Sequence, residues 1–333
     1  MSDDPNDLRV PDTTSERRLE EIRREAELRY ERGALAPVAV ADHPALPVLK
    51  EPQWTWEVPL YFFVGGAAGA AAVIAASAQL SGAEPRLVRE ARWVAAVGGA
   101  VSAPLLIADL GRPERFLNML RVFKLHSAMS VGAWTLVAFS SAAGAAAFAD
   151  LMAEKTDLPV AILRDAAGAL AAATGLVLSS YTGVLLGCTA IPVWNRNART
   201  LPLHFTASGL NSAVALLELM GHARNRALGA IGLAAAAAEV LEGVRLEMDN
   251  DPALDPLKHG NTGWMTRAGG ALSGPVPLAL RVAAAFAGSR SASNLRRVAA
   301  VASLAGSLLT RFGWVEAGKV SARNPRIPLA LDE

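Results

Sequence analysis

WTWEVPLYFFVGGAAGAAAVIAASAQL, residues 54–80, decides the fold class of this chain. From Val58 to Leu80 no side chain is charged. A run of about 20 apolar residues at 1.5 Å per residue crosses the roughly 30 Å hydrocarbon core of a bilayer, so this stretch reads as a membrane helix. Outward from it, seven further segments have the same character: Trp93–Leu110, Ser130–Ala149, Ile162–Gly187, Leu203–Met220, Ala227–Val244, Gly274–Ala287 and Val298–Trp314. The second and the seventh are short, and the seventh carries Arg281 and two prolines. The expectation is an all-α integral membrane protein of about eight transmembrane helices in two four-helix bundles. An even count places both ends of the membrane domain on one face.

Composition agrees. The 333 residues are 52% hydrophobic but only 6% aromatic, and the mean hydropathy is +0.28, as membrane helices built on Ala, Leu and Val require. Lys plus Arg number 32 against 31 Asp plus Glu, a balance that argues against a nucleic-acid partner bound through phosphate neutralisation. The single cysteine, Cys188, excludes an internal disulfide and an iron–sulfur cluster held by this chain alone. At a helix end, Cys188 reads as a small buried packing residue.

The chain divides into a polar tail and linker, residues 1–53, a membrane domain, residues 54–326, and a short C-terminal tail, residues 327–333. In the charged stretch Ser15–Arg32, Glu20 with Arg24 and Glu25 with Arg29 stand at i,i+4 spacing beside a thin stripe of Leu19, Ile22 and Ala26. It reads as a surface helix, and its alternatives are a solvated tail or a docking segment for a soluble partner. The tail lacks the apolar core of a signal peptide, so the first membrane helix is expected to direct insertion.

Three motifs could carry chemistry. Glu57, Tyr61, Gly65 and Gly69 recur every four residues and line one helix face. A carboxylate and a phenol thus sit above a smooth strip that serves either as a groove or as a GxxxG packing surface. The second motif runs from Asp109 to Lys124, where Gly111 and Pro113 break the helix. The amphipathic Arg115 to Arg121 then suits an interface, against lipid headgroups or a partner. In the third motif, Tyr181 lies about two turns from the end of the fourth helix, where a tyrosine also serves as an interface anchor. Trp93, Trp134, Trp194 and Trp314 read as interface markers.

Trp54 to Gly69, the Asp109-Leu-Gly-Arg-Pro113 motif, Tyr181 to Leu186 and Arg311 to Pro325 together resemble the NrfD/polysulfide reductase membrane-subunit family, a resemblance covering about Trp54 to Pro325. The resemblance implies an eight-helix subunit of a respiratory oxidoreductase complex in the cell (inner) membrane. It implies menaquinone or ubiquinone as substrate, with no haem or iron–sulfur cluster in this chain. It also implies a ferredoxin-like iron–sulfur partner, completed by a molybdopterin catalytic subunit or a multihaem cytochrome. Its quinone-site residues fall on Glu57, Tyr61 and Tyr181. Some relatives carry Asn and His at the first two positions, whereas this chain has a carboxylate and a phenol.

Alternating helices bring Glu57, Asp109, Tyr181 and His204 towards one leaflet, so Gly65, Asp109 and His204 join the candidate quinone site. Arg112, Arg115, Arg121 and Lys124 form the candidate partner-docking segment. Glu218, Glu239 and Glu242 are a candidate proton path, with interhelical hydrogen bonding as the alternative reading. Haem would require paired histidines at matching depth; His204 and His222 are 18 residues apart, about 27 Å along a helix. An ion-coupled transporter and a structural anchor without a quinone site are the competing functions. Lys and Arg divide between both loop faces, so charge bias chooses no orientation.

Overall fold

In a computed structural model, Arg24 and residues 49–112, 114–155 and 160–323 are described. The expected tail helix, apart from Arg24, and the C-terminal tail lie outside the described residues. The described helices belong to the unit Pro47–Glu333; the other unit is Met1–Leu46.

Every regular element among the described residues is helical: α1 Glu57–Leu80, α2 Pro85–Asp109, α3 Arg115–Met119, α4 Ala128–Lys155, α5 Ala161–Gly187, α6 Pro192–Arg196, α7 Leu201–Leu217, α8 Arg226–Met248, α9 Asp255–Lys258, α10 Gly260–Ser273, α11 Pro275–Phe286 and α12 Ser289–Arg323, with single turns at Glu218–His222 and Pro252–Leu254. Local sequence sets the boundaries. Pro85, Pro202 and Pro275 fall in first turns, where a missing N–H is harmless. The Asn225 side chain caps α8 by accepting from Leu228 N at 3.1 Å.

Among the described residues, seven helices are long and apolar enough to cross a membrane, α10 and α11 together counting as one. The 17-residue α7 continues into a wider turn, Glu218–His222, until Gly221 leaves helical geometry at φ 117°, which brings its length to roughly 30 Å. With α7 added, these helices correspond one to one to the eight expected segments, but the bounds of three are corrected. The second begins at Pro85, not Trp93, and the last runs Ser289–Arg323, not Val298–Trp314. The seventh begins at Gly260, not Gly274, and Gly274 is instead the break between its two halves. Polar and glycine-rich, Gly260–Ser273 is thin in hydropathy, which hid it.

The helices form two bundles. In one, α1 packs on α2 and α5, and α4 on α2 and α5; in the other, α7, α8, α10, α11 and α12 pack together, and α1 and α5 join the two by contacting α7. Small residues permit this. A Cβ on Gly69 would overlap the Gly175 carbonyl of α5, and one on Gly209 of α7 would come within 2.7 Å of the Gly66 oxygen. Bidentate contact between Arg323, at the end of α12, and Glu51, just before α1, ties both ends of the domain to one face.

Two side-chain expectations are overturned. Trp194 and Trp314 are fully buried, because Trp194 stacks on Trp54 with ring centroids 5.2 Å apart and donates from Nε1 to the Trp314 carbonyl at 2.8 Å. Cys188 is exposed: it caps the C-terminus of α5, beyond the packed turn.

Candidate functional site

At the shared face, the start of α1 meets the end of α2 through Thr55. Its backbone N–H and its hydroxyl lie 3.1 and 3.0 Å from Asp109 Oδ1, and the same hydroxyl contacts Glu57. One hydroxyl carries one proton, so Thr55 donates to one of the two half-buried carboxylates at a time. Glu57 and Asp109, 52 positions apart, therefore form one acidic cluster at the membrane boundary.

One turn deeper, Tyr61 is 1% exposed, and its hydroxyl has no hydrogen-bond partner among the described residues. The space above Gly65 is taken by the Tyr61 ring, which a Cβ there would meet at 3.3 Å, with Ser102 Oγ at 3.4 Å. Tyr181 is held differently. Its hydroxyl donates to the Ala128 carbonyl at 2.7 Å, and its ring lies on Gly132, where a Cβ would overlap it.

His204 lies elsewhere. Two rings separate it from Tyr61: centroids run Tyr61–Phe62 5.7 Å, Phe62–Phe205 6.3 Å and Phe205–His204 5.7 Å. It lines a cavity of about 490 Å³ with Glu239, Glu242, Thr310 and Trp314, walled mainly by apolar side chains of α8 and α10. Both His204 nitrogens lack partners; the nearest Glu239 oxygen is 3.7 Å away. Ser273 donates to that oxygen at 3.0 Å.

The other two carboxylates of the candidate path are held by arginines. Glu218 pairs with Arg281 at 2.6 Å with both side chains buried, near the opposite face, and Glu242 pairs with Arg245 at 2.6 Å. Arg311 is 1% exposed. It reaches the Phe205 carbonyl at 2.9 Å and sits over the Phe205 ring at 3.6 Å, a cation–π contact. Its Nε and Nη1 have no partner among the described residues.

Of the expected docking residues, Arg112, Arg121 and Lys124 are exposed, while the Arg115 side chain lies outside what is described. Around α3 they are interleaved with Leu117, Phe123 and Leu125, 68%, 52% and 75% exposed. Sequence reading missed Thr55, Ser273 and the Trp314 indole. No local signal marks them, because their roles depend on neighbours distant in the chain. Among the described residues no group of three or more His, Cys, Asp or Glu could hold a metal ion.

A membrane helix bundle with an acidic cluster and a buried phenol at one face is the setting in which the family match falls. A profile of the polysulphide reductase NrfD family matches residues 49–229, more than half of the chain, and the chain belongs to that family. Membership marks a multi-pass membrane subunit of respiratory oxidoreductase complexes. No curated protein sequence matches the chain. The match spans α1 to the start of α8; the cavity lies almost wholly beyond it, with His204 as its one lining residue inside.

Proposed function

We propose that the chain is the quinone-reactive subunit of its complex, exchanging electrons between menaquinone or ubiquinone and an iron–sulfur cluster on a ferredoxin-like partner. The carrying observation is the Tyr61 hydroxyl, fully buried and unpartnered one turn beneath the Glu57–Thr55–Asp109 cluster. A buried donor without a partner costs about 1–3 kcal/mol, and a quinone oxygen would remove that penalty. Reduction of a quinone takes up two electrons and two protons. Here Tyr61 would orient a ring oxygen, and Glu57 and Asp109 would pass protons between it and water at the same face.

Tyr181, locked to Ala128, acts on this reading as a wall of the site and not as a free donor. Glu239, with one oxygen on a serine and the other unpartnered, is better placed to relay protons than Glu218 or Glu242, which arginines hold. The basic and apolar surface around α3 suits docking of the soluble partner beside the site, with the molybdopterin or multihaem subunit beyond it.

The test is turnover of the assembled complex. Glu57→Gln and Tyr61→Phe should leave membrane insertion and partner copurification intact while slowing quinone-coupled turnover at least about tenfold, the equivalent of one lost transition-state contact of about 1.4 kcal/mol. Arg112 and Arg121 substitutions should weaken partner association instead. Normal turnover in both site variants would return Glu57 and Tyr61 to a packing role.

A further inference from the structure

At the face opposite the Glu57 rim, the second bundle brings the starts of α8 and α12 together. Arg296 ties them, donating from Nη1 to the carbonyl of Ala223, three residues before α8, at 2.9 Å. Arg224 and Arg226 stand at the start of α8, and Arg290 and Arg297 lie in the first three turns of α12. All four are exposed, and none of their guanidinium groups has a partner among the described residues. The reason is in the sequence: neither 219–238 nor 256–315 contains an Asp or Glu. The acids that come near are engaged, Glu90 with Arg86 at 2.7 Å and His222 at 2.9 Å, and Glu218 with Arg281. Arginines elsewhere in the membrane domain are matched, Arg92 with Asp150, Arg164 with Asp165 and Arg245 with Glu242.

This placement works against the fold. The positive end of a helix dipole repels cations, so a first turn suits Asp or Glu and a last turn suits arginine. Neither α8 nor α12 has an acid in its first turn, and the tie through Arg296 crowds like charges together. An anion between the two N-termini would reverse both effects, pairing with the guanidinium groups and meeting the dipoles with the right sign. The surroundings decide which anion. Beside and below the arginines, Val282 and Phe286 of α11 and Val298 and Val301 of α12 are 45%, 88%, 56% and 57% exposed. A free phosphate would leave that apolar flank bare, whereas a phospholipid covers it with acyl chains while its phosphate stays at headgroup depth. The 35 residues of α12 measure about 52 Å against a hydrocarbon core of roughly 30 Å, so its first turns reach that depth. A headgroup of net negative charge gains most there, because a zwitterionic one brings its own cation.

We propose that Arg224, Arg226, Arg290 and Arg297 form a binding site for the phosphate of an anionic phospholipid in the leaflet away from the Glu57 rim. The site is independent of the quinone reading. Its lipid would join α8 to α12 at a face where the chain supplies no acid to do so.

The experiment is lipid retention by the full-length chain, delipidated in detergent and offered dioleoyl phosphatidylglycerol or dioleoyl phosphatidylcholine, with bound lipids counted by native mass spectrometry. The two probes share their acyl chains, so only the headgroup differs. The wild type should prefer phosphatidylglycerol at least about tenfold, and the preference should shrink as salt rises. An arginine near an anionic headgroup is worth roughly fivefold, so Arg224→Gln with Arg226→Gln, or Arg290→Gln with Arg297→Gln, should each lower the preference at least that much. All four substitutions together should abolish it. These side chains are exposed and unpaired, so in phosphatidylcholine the fourfold variant should melt no lower than the wild type, whereas phosphatidylglycerol should raise the midpoint of the wild type alone. Equal retention of the two lipids by the wild type would overturn the proposal and leave the arginines as signals of membrane orientation only. An undiminished preference in the fourfold variant, or displacement of phosphatidylglycerol by inorganic phosphate at constant ionic strength, would overturn it as well.

Discussion

In the bundle of α1, α2, α4 and α5 the helices meet through glycine and alanine, whereas in the bundle of α7, α8, α10, α11 and α12 buried Glu, Arg, His, Asn and Ser are added to glycine contacts such as Gly306 on Ser273. Gly69 on Gly175 and Ala68 under Gly98 bring backbones together in the first. Its main ion pair, Arg92–Asp150 at 2.8 Å, sits near the helix ends. In the second, Glu239–Ser273 and Asn211–Ser273 lie in the interior, and the fully buried Glu218–Arg281 pair lies nearer the opposite face. With no hydrophobic drive between helices in lipid, association relies on close packing or on polar contacts. The first bundle relies on close packing, and the second combines it with buried polar contacts. On the proposed function, close packing leaves a quinone only the rim, where Glu57 and Asp109 lie; the second bundle leaves a half-open cavity beside α8 and α10.

The largest expected effect breaks the polar bundle. Glu218→Ala leaves Arg281 charged and buried and should cost about 3–5 kcal/mol, read as a steep fall in the thermal midpoint of the purified protein. Adding Arg281→Leu should recover much of that loss; if the double variant were as unstable as the single one, the pair would not be what holds α7 to α11. Next comes the close-packed bundle. Gly69→Ala forces α1 from α5 and should cost about 1–3 kcal/mol, whereas Gly270→Ala, facing open space, should stabilise by about 0.5–1 kcal/mol through helix propensity. Equal melting temperatures for the two variants would erase the contrast between bundles.

A smaller change sharpens the account of the rim. Thr55→Val removes the hydroxyl between Glu57 and Asp109 and should lower stability by about 1 kcal/mol, with a reduced quinone-coupled rate in the assembled complex. The smallest effect concerns the exposed Glu51–Arg323 pair. The guanidinium, through its hydrogen bonds, holds the Glu51 carboxyl below the usual carboxylate range. The contact is therefore complete above that range and is lost as pH falls through the lowered value. Glu51→Gln should leave the thermal midpoint nearly unchanged at neutral pH, as exposed pairs do, and should flatten its decline below about pH 4.

Hydropathy made the spans legible, and four-residue spacing placed Glu57 above Tyr61. The meeting of Glu57 with Asp109 followed in outline from alternating topology, but Thr55 as their link did not. The sequence did not show which acid Arg281 would meet, since Glu218 is 63 positions away and no spacing rule spans two helices. Trp194 and Trp314 read as interface residues because tryptophan favours headgroups. The glycine that makes room for Trp194 in the core, Gly318, is remote in the chain. The cavity was equally hidden, because its walls come from six helices and the start of the seventh crossing was masked by low hydropathy.

Photolabelling with an azido-quinone in the intact complex, followed by peptide mapping, tests the central claim most directly. The label should fall on the start of α1 around Tyr61 and be lost in competition with excess native quinone. Label confined to α8 and α10, or unaffected by that competition, would contradict a quinone site at the rim of the first bundle.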